Sequence, residues 1–372
     1  MSESMFDVRL ERFRKLCGEE GLDAFLVANP ENRYYLSGYE ADDMHLTESS
    51  GFLLITPDRQ YLLTDPRYEE AARKEAPGFS VRIYTQGLSQ MLAELLPEMR
   101  PERLGVESSY LTWSRYKDVE EQLRKANPSA VVLGFEGLVE RLRVIKESVE
   151  IEWIKASLRL TEDALVAVWT DLEPGQKEKD IAWRIERYIR EGGGEAVSFP
   201  PIVAAGPNGA LPHAVPGERR IAKGESLILD LGSKLRHYCS DMTRTWIAGN
   251  PEPRLAEIYR VVREAQLAAQ DQLRAGIDSV EVDRVARDLI AKAGYGEYFG
   301  HGLGHGVGLA VHEGPSLRRF HGTILEENMV VTVEPGIYLP GYGGVRLENM
   351  VRVTAIGCEV LNTRNLFLEQ AG

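Results

Sequence analysis

Residues 300–315, GHGLGHGVGLAVHEGP, hold His301, His305 and His312, three of the seven histidines in the chain. Imidazole is the side chain that titrates near neutrality and the commonest nitrogen ligand for metals. Two of the three are four residues apart, as on one helix face, but glycines at 300, 302, 304, 306 and 308 argue against a helix. Each interior glycine costs about 1 kcal/mol relative to alanine. A strand or tight loop is expected instead, in which even offsets let His301 and His305 point the same way. The run does not satisfy G-x-G-x-x-G, and no G-x-x-x-x-G-K-[ST] occurs in the chain, so a nucleotide cradle is a poor reading.

Four carboxylates give the histidines a context. In SLILDLGSKLRHYCSDMTRTW (226–246), Asp230 interrupts an apolar strand, where burying a carboxylate is costly without a partner. A turn centred between Leu235 and Arg236 would set Asp230 opposite Asp241. In MVVTVEPGIYLPGYGGVRLENMVRV (329–353), a hairpin centred near Gly341 would set Glu334 opposite Glu348. Directly opposed residues have Cβ atoms roughly 4.5–5.5 Å apart. Like charges so close force some carboxyls to keep their protons, unless divalent cations lie between them. Four carboxylates and His305 make a shell for two divalent ions about 3.5–4 Å apart. A mainly oxygen shell with one nitrogen suits Mn²⁺, Co²⁺, Fe²⁺ or Zn²⁺.

The elements that must position these groups fall into two textures. With 372 residues, 43% hydrophobic and 27% charged, the chain is long enough for two ordinary globular domains. Residues 1–137 alternate short apolar runs (23–29, 51–56, 60–65, 79–84, 103–108, 130–135) with amphipathic helical stretches, which predicts an α/β domain with a mixed sheet. Residues 138–372 present helices and strands in blocks, an α+β pattern, beginning with one long helical run over 139–172 and continuing with helices over 177–193, 253–275 and 279–294. The net charge of −13 disfavours nucleic acid or an anionic membrane as partner. Three cysteines without zinc-ribbon spacing suit a reducing compartment, and no apolar run reaches the length of a membrane span. A cytoplasmic protein is expected.

The words LILDLG, YCSDMTRT, HGLGHGVGLAVHE, VVTVEPGIY and GGVRLEN resemble the pita-bread metallopeptidases: methionine aminopeptidase, aminopeptidase P and prolidase. The first part of the chain is similar to the N-terminal domain of the creatinase, prolidase and aminopeptidase P branch. The resemblance implies a pita-bread catalytic domain whose metal ligands are Asp230, Asp241, His305, Glu334 and Glu348. It implies two divalent ions, Mn²⁺ foremost, with Co²⁺, Zn²⁺ or Fe²⁺ as alternatives. It further implies that His213, in NGALPHAVPG, assists catalysis and that His312 stabilises the developing oxyanion. His301 would wall the proline pocket, Glu334 would also handle the proton of the attacking water, and Arg346 would support the ligand carboxylates. Two departures stand out. Asn349 follows Glu348 where the family often has an acidic residue, and His237 stands where glycine is common. Both predict altered tuning around the site.

The implied activity is hydrolysis of the bond between an N-terminal residue and proline, by a homodimer acting on proline-containing peptides. Creatinase-like chemistry or a non-catalytic binding module would be expected to lose ligands, and all five are present. Some prolidases of the family place an arginine directly after H-E-x-P, whereas Ser316 stands there, with Arg318 and Arg319 further on. That tilts the expectation to an Xaa-Pro aminopeptidase, with an Xaa-Pro dipeptidase (prolidase) as the alternative. The acidic segment YEADDMHLTESSG (39–51) reads either as a solvated loop or as a lid offering Asp42, Asp43 or Glu48 to the substrate amine.

Overall fold

The computed structural model describes residues 4–43 and 45–368. The chain divides into two units, Met1–Arg143 and Val144–Gly372, whereas the change of sequence texture had put the boundary at 137–138.

In the first unit the six apolar runs form β1 (Ala24–Val27), β2 (Phe52–Ile55), β3 (Gln60–Thr64), β4 (Ser80–Ile83), β5 (Arg103–Glu107) and β6 (Val131–Phe135). They make one sheet in the order β4-β3-β2-β1-β5-β6. The β1–β2 and β2–β3 pairs are antiparallel and the rest parallel, so the sheet is mixed. β1 and β2 are buried along their whole length, which is why they read as unbroken apolar runs rather than alternating ones. Leu92 and Leu96 of helix Leu88–Met99, with Val119 and Leu123 of helix Trp113–Ala126, pack into the core with Leu26, Leu54 and Val106.

The acidic segment is anchored within this unit. Asp43 is buried beside Arg33 (3.1 Å) and accepts hydrogen bonds from the Ser50 amide and hydroxyl, both at 2.7 Å. Its charge is already neutralised there, so Asp43 is withdrawn from the lid reading.

The expected single helix over 139–172 is broken into Glu140–Arg143 and Ser148–Trp169. The physical reason lies in the intervening residues. Glu147 and Glu150 form a reciprocal capping box that starts a new helix, and the Lys146 amide bonds Asn328 O. The Lys146 ammonium is buried 2.7 Å from Glu313 Oε1. Further helices span Glu178–Glu191, Pro253–Gln272 and Ser279–Lys292. Val262, Ala265 and Ala269 of one and Val282, Ala286 and Ile290 of the next share a core with Val331, Val333, Val351 and Val353 of the strands. Apolar residues at three- and four-residue spacing thus meet strand residues at spacing two. Among the described residues no helix is long and apolar enough to cross a membrane.

Candidate metal centre

Strand Ser226–Leu231 is central in its sheet, between Ile202–Ala205 and Met242–Ile247. The expected pairing of Asp230 with Asp241 is not found: Asp230 lies opposite Thr243. The turn is centred one residue later than expected, because Arg236 and His237 occupy it with φ of 53° and 67°. Nothing in an Arg-His pair signals a left-handed turn, which glycine or asparagine would normally fill. It also explains why glycine would be at home at position 237. Asp230 and Asp241 become diagonal neighbours, and in a sheet such i, j±2 residues share a face.

The second hairpin is centred on Gly341, φ 73°, as its glycines suggested. Val330–Val333 pairs with Asn349–Val353, and Gly336–Leu339 pairs with Gly343–Arg346, all in one register. Glu334 and Glu348 lie opposite each other between the two ladders. There both strands turn outward: the Glu334 amide donates to Leu303 O (2.8 Å) and the Glu348 amide to Thr243 O (3.0 Å). The gap in the ladder brings the second hairpin against the first and against the histidine run. Instead of a helix, that run contains a short strand, Gly304–Gly306, and His301 lies in the loop before it.

One cavity of about 550 Å³ is lined by Asp230, Asp241, His305, Glu334 and Glu348, together with His213, His301, His312 and Arg346. All nine residues proposed from the sequence are therefore neighbours. Ligand atoms of Asp230, Asp241 and Glu348 lie within 4.8 Å of one another, as do those of His305, Glu334 and Glu348.

The hydrogen bonds show what this cluster lacks. Asp230 Oδ1 and Glu348 Oε1 are buried without a hydrogen-bond partner. His305 Nδ1 is 3.1 Å from Gly306 O, so it must carry the proton, and Nε2 turns a lone pair toward Glu334 Oε1 (3.3 Å) and Asp241 Oδ2 (3.5 Å). Burial, and next the neighbouring His312, pushes the His305 pKa down to about 4, so protonation does not relieve the contact. Burial, reinforced by the neighbouring carboxylates, pushes Glu334 up to about 8 and holds Asp241 and Glu348 well above the usual carboxylate range. A lone pair facing carboxylate oxygens, with two further buried carboxylate oxygens that no donor reaches, forms a donor set for cations. The residues fit divalent metal ions.

Arg346 does more than expected. It pairs with Asp230 Oδ2 at 2.5 Å and donates to Thr243 Oγ1 (3.1 Å), Tyr338 OH (2.9 Å) and Pro212 O (3.2 Å). Thr243 in turn donates to Glu348 Oε2 at 2.7 Å, and Thr332 Oγ1 donates to Glu334 at 3.2 Å. The sequence reading missed Thr243, Thr332 and Tyr338. A usable signal was present, since Thr332 precedes Glu334 by two and Thr243 follows Asp241 by two, the same-face spacing of a strand. Asn349 accepts from buried Arg244 at 2.9 Å, so the departure from an acidic residue leaves a neutral acceptor beside that guanidinium. His301 is fixed on both nitrogens, with Nδ1 2.7 Å from Gly302 O and Nε2 2.8 Å from Tyr338 OH. It has no remaining polar valence for a substrate, which suits a wall. The His312 ring is half-exposed and meets that of His305 edge-on, with centroids 4.3 Å apart.

Residues 152–355 match metallopeptidase family M24, and residues 9–145 match the creatinase/prolidase N-terminal domain. The chain belongs to metallopeptidase family M24. Relatives of this M24 peptidase include an Xaa-Pro dipeptidase of Pyrococcus horikoshii, 36% identical, with 95% of this chain and 97% of the relative covered. Among solved structures, an Xaa-Pro dipeptidase from Bacillus anthracis superposes with a TM-score of 0.90 at 37% identity, covering 97% and 99% of the two chains. An X-Pro aminopeptidase from Thermotoga maritima gives 0.86 at 35%, covering 96% and 98%. The creatinase-like first domain and the pita-bread second domain expected from the sequence are the architecture of this M24 enzyme. The tilt toward an aminopeptidase is not upheld, since the relatives favour the dipeptidase alternative.

Proposed function

We propose that this enzyme is an Xaa-Pro dipeptidase that works with two divalent metal ions held by Asp230, Asp241, His305, Glu334 and Glu348. The observation that carries the metal assignment is the pair of buried, partnerless oxygens, Asp230 Oδ1 and Glu348 Oε1, in the cavity where the His305 lone pair faces Glu334 and Asp241. Two such ions would supply Lewis-acid polarisation and a water of lowered pKa at neutral pH. Glu334, with its carboxyl pushed up to about 8, is suited to take and return a proton. His312 and His213 line the same cavity and supply groups for the developing oxyanion and leaving amine. His301, Phe199, Pro200 and Ile202 give it an apolar wall for proline and its neighbour.

The dipeptidase reading is supported by the names of the relatives and by Arg318, which lines this cavity two residues beyond Ser316. A guanidinium at that rim suits the free carboxylate of a dipeptide. An Xaa-Pro aminopeptidase is the second reading, favoured by the Thermotoga maritima structure and by Ser316 itself. Manganese as the native ion is supported by the oxygen-rich donor set, with Co²⁺, Zn²⁺ or Fe²⁺ as alternatives. A cytoplasmic location is supported by the small, odd number of cysteines, three in the chain, without zinc-ribbon spacing. A homodimer is part of the same proposal, on the resemblance alone. Comparing Ala-Pro with Ala-Pro-Ala in the presence of Mn²⁺ tests the choice: faster cleavage of Ala-Pro is expected, and exclusive cleavage of the tripeptide would reverse it.

A further inference from the structure

His213 is carried by the twelve residues 206–217, GPNGALPHAVPG. They leave strand Ile202–Ala205, make a 3-10 turn over Gly206–Ala210, and run past the cavity to Gly217. A segment with three prolines and three glycines has few amides and side chains with which to hold itself. Its fixed point is Glu178, the first residue of helix Glu178–Glu191 and only 1% exposed.

Both oxygens of Glu178 are spent on this loop. Oε1 accepts from the Ala205 amide at 2.7 Å, where the loop begins. Oε2 accepts from the Gly217 amide at 3.0 Å, where it ends. The Asn208 side-chain amide donates to both oxygens, at 3.1 and 3.0 Å. Buried carboxylates are tolerated when saturated with donors, and here the loop and the strand residue just before it supply all of them among the described residues. The backbone reinforces the tie, since the Glu178 amide bonds Arg219 O (3.1 Å) and the Lys179 amide bonds Gly217 O (3.2 Å). At the other end, Arg346 donates to Pro212 O, the residue before His213. The histidine is thus suspended between a clamp at the base of its loop and the guanidinium that pairs with Asp230.

We propose that Glu178 is a positioning residue for the reaction: its carboxylate closes the 206–217 loop and so aims His213 into the cavity. This rests on the reading of His213 as a participant in catalysis. Misplacing a catalytic group by about 1 Å can cost roughly 10²-fold in rate. Glu178→Gln keeps the shape but turns an N–H₂ group toward N–H donors.

The test is a double-mutant cycle on whichever of Ala-Pro or Ala-Pro-Ala the enzyme cleaves, with metal content and melting temperature measured on the same samples. Glu178→Gln is expected to lower kcat roughly 10–100-fold with near-normal metal and little change in KM. In combination with His213→Ala it should add no loss beyond His213→Ala alone. Asn208→Ala removes only the middle tie and should show a smaller loss with the same non-additivity, which keeps the test open if Glu178→Gln folds poorly. Losses that multiply in the double variants, unchanged kcat in Glu178→Gln and Asn208→Ala, or metal loss in Glu178→Gln would overturn the proposal. Full activity in His213→Ala would instead remove the reading of His213, and this inference with it.

Discussion

Buried carboxylates, Glu107 in the first unit and the cavity group in the second, show what separates scaffolding from chemistry. Glu107 ends β5 and is buried, yet Oε2 accepts from the Ala28 and Asn29 amides, both at 2.6 Å, and Oε1 accepts from Asn32 at 2.7 Å. In the second unit, Asp230 Oδ1 and Glu348 Oε1 are equally buried and have no donor. Burial raises the carboxyl pKa in both places, Glu107 to about 7 and Glu334 to about 8. A raised pKa therefore does not tell the two apart. Hydrogen bonding does: Glu107 is complete within the protein, while Asp230 and Glu348 each keep an oxygen that no donor reaches. Glu178, with both oxygens occupied, belongs with Glu107 in this respect although it serves the active site.

The comparison is broken most severely by removing the metal. Exhaustive chelation should reduce peptidase activity to background, and Mn²⁺ should restore it. Glu107→Gln should by contrast leave metal content unchanged and lower stability by about 1–3 kcal/mol, read from denaturant unfolding. Metal loss in Glu107→Gln would erase the distinction. His312→Ala should lower kcat by about 10²–10³ with KM and metal content near normal, because the group is proposed to act on charge that appears only in the transition state. Arg318→Ala should raise KM for Ala-Pro about tenfold, on the scale of one charged hydrogen bond, and leave Ala-Pro-Ala almost untouched. Equal effects on both substrates would remove Arg318 from carboxylate recognition.

A smaller effect separates the metal-free from the metal-loaded protein by pH. Carboxyls whose folded pKa is raised stabilise the fold while protonated, and that contribution is lost as pH rises through the folded value. Metal-free protein should therefore lose thermal stability as pH climbs from the ordinary glutamate value of 4.5 through about 8, where Glu334 titrates. Divalent ions compete with protons for the same oxygens, so the gap in melting temperature between loaded and stripped protein should widen over that interval. A gap that narrows with rising pH would contradict the carboxylate assignment.

Much of this was legible in residue types. Asp230 in an apolar strand, glycine alternation around His305, and the glycines about Gly341 each had one economical reading, and Asp230, His305, Glu334 and Glu348 do line a common cavity. The six runs of the first unit became its six strands. What the sequence concealed was geometry set by tertiary contacts. The Arg236–His237 turn adopts left-handed backbone with no residue that favours it, so the aspartate register slipped by one position in the turn. The helical pattern over 139–172 hid a break fixed by the buried Lys146–Glu313 pair, 167 residues apart. Glu178 reads as one more charge at a helix start, and only the fold brings it to loop ends 27 and 39 residues away.

The central claim is that the cavity carboxylates are metal ligands. Elemental analysis of Mn²⁺-loaded protein, run beside Asp241→Ala, Glu348→Ala and Glu107→Gln, tests it most directly. Two ions per chain are expected in the parent and in Glu107→Gln, with one or none in Asp241→Ala and Glu348→Ala. Unchanged metal in both cavity variants, or no stoichiometric metal in the parent, would contradict it.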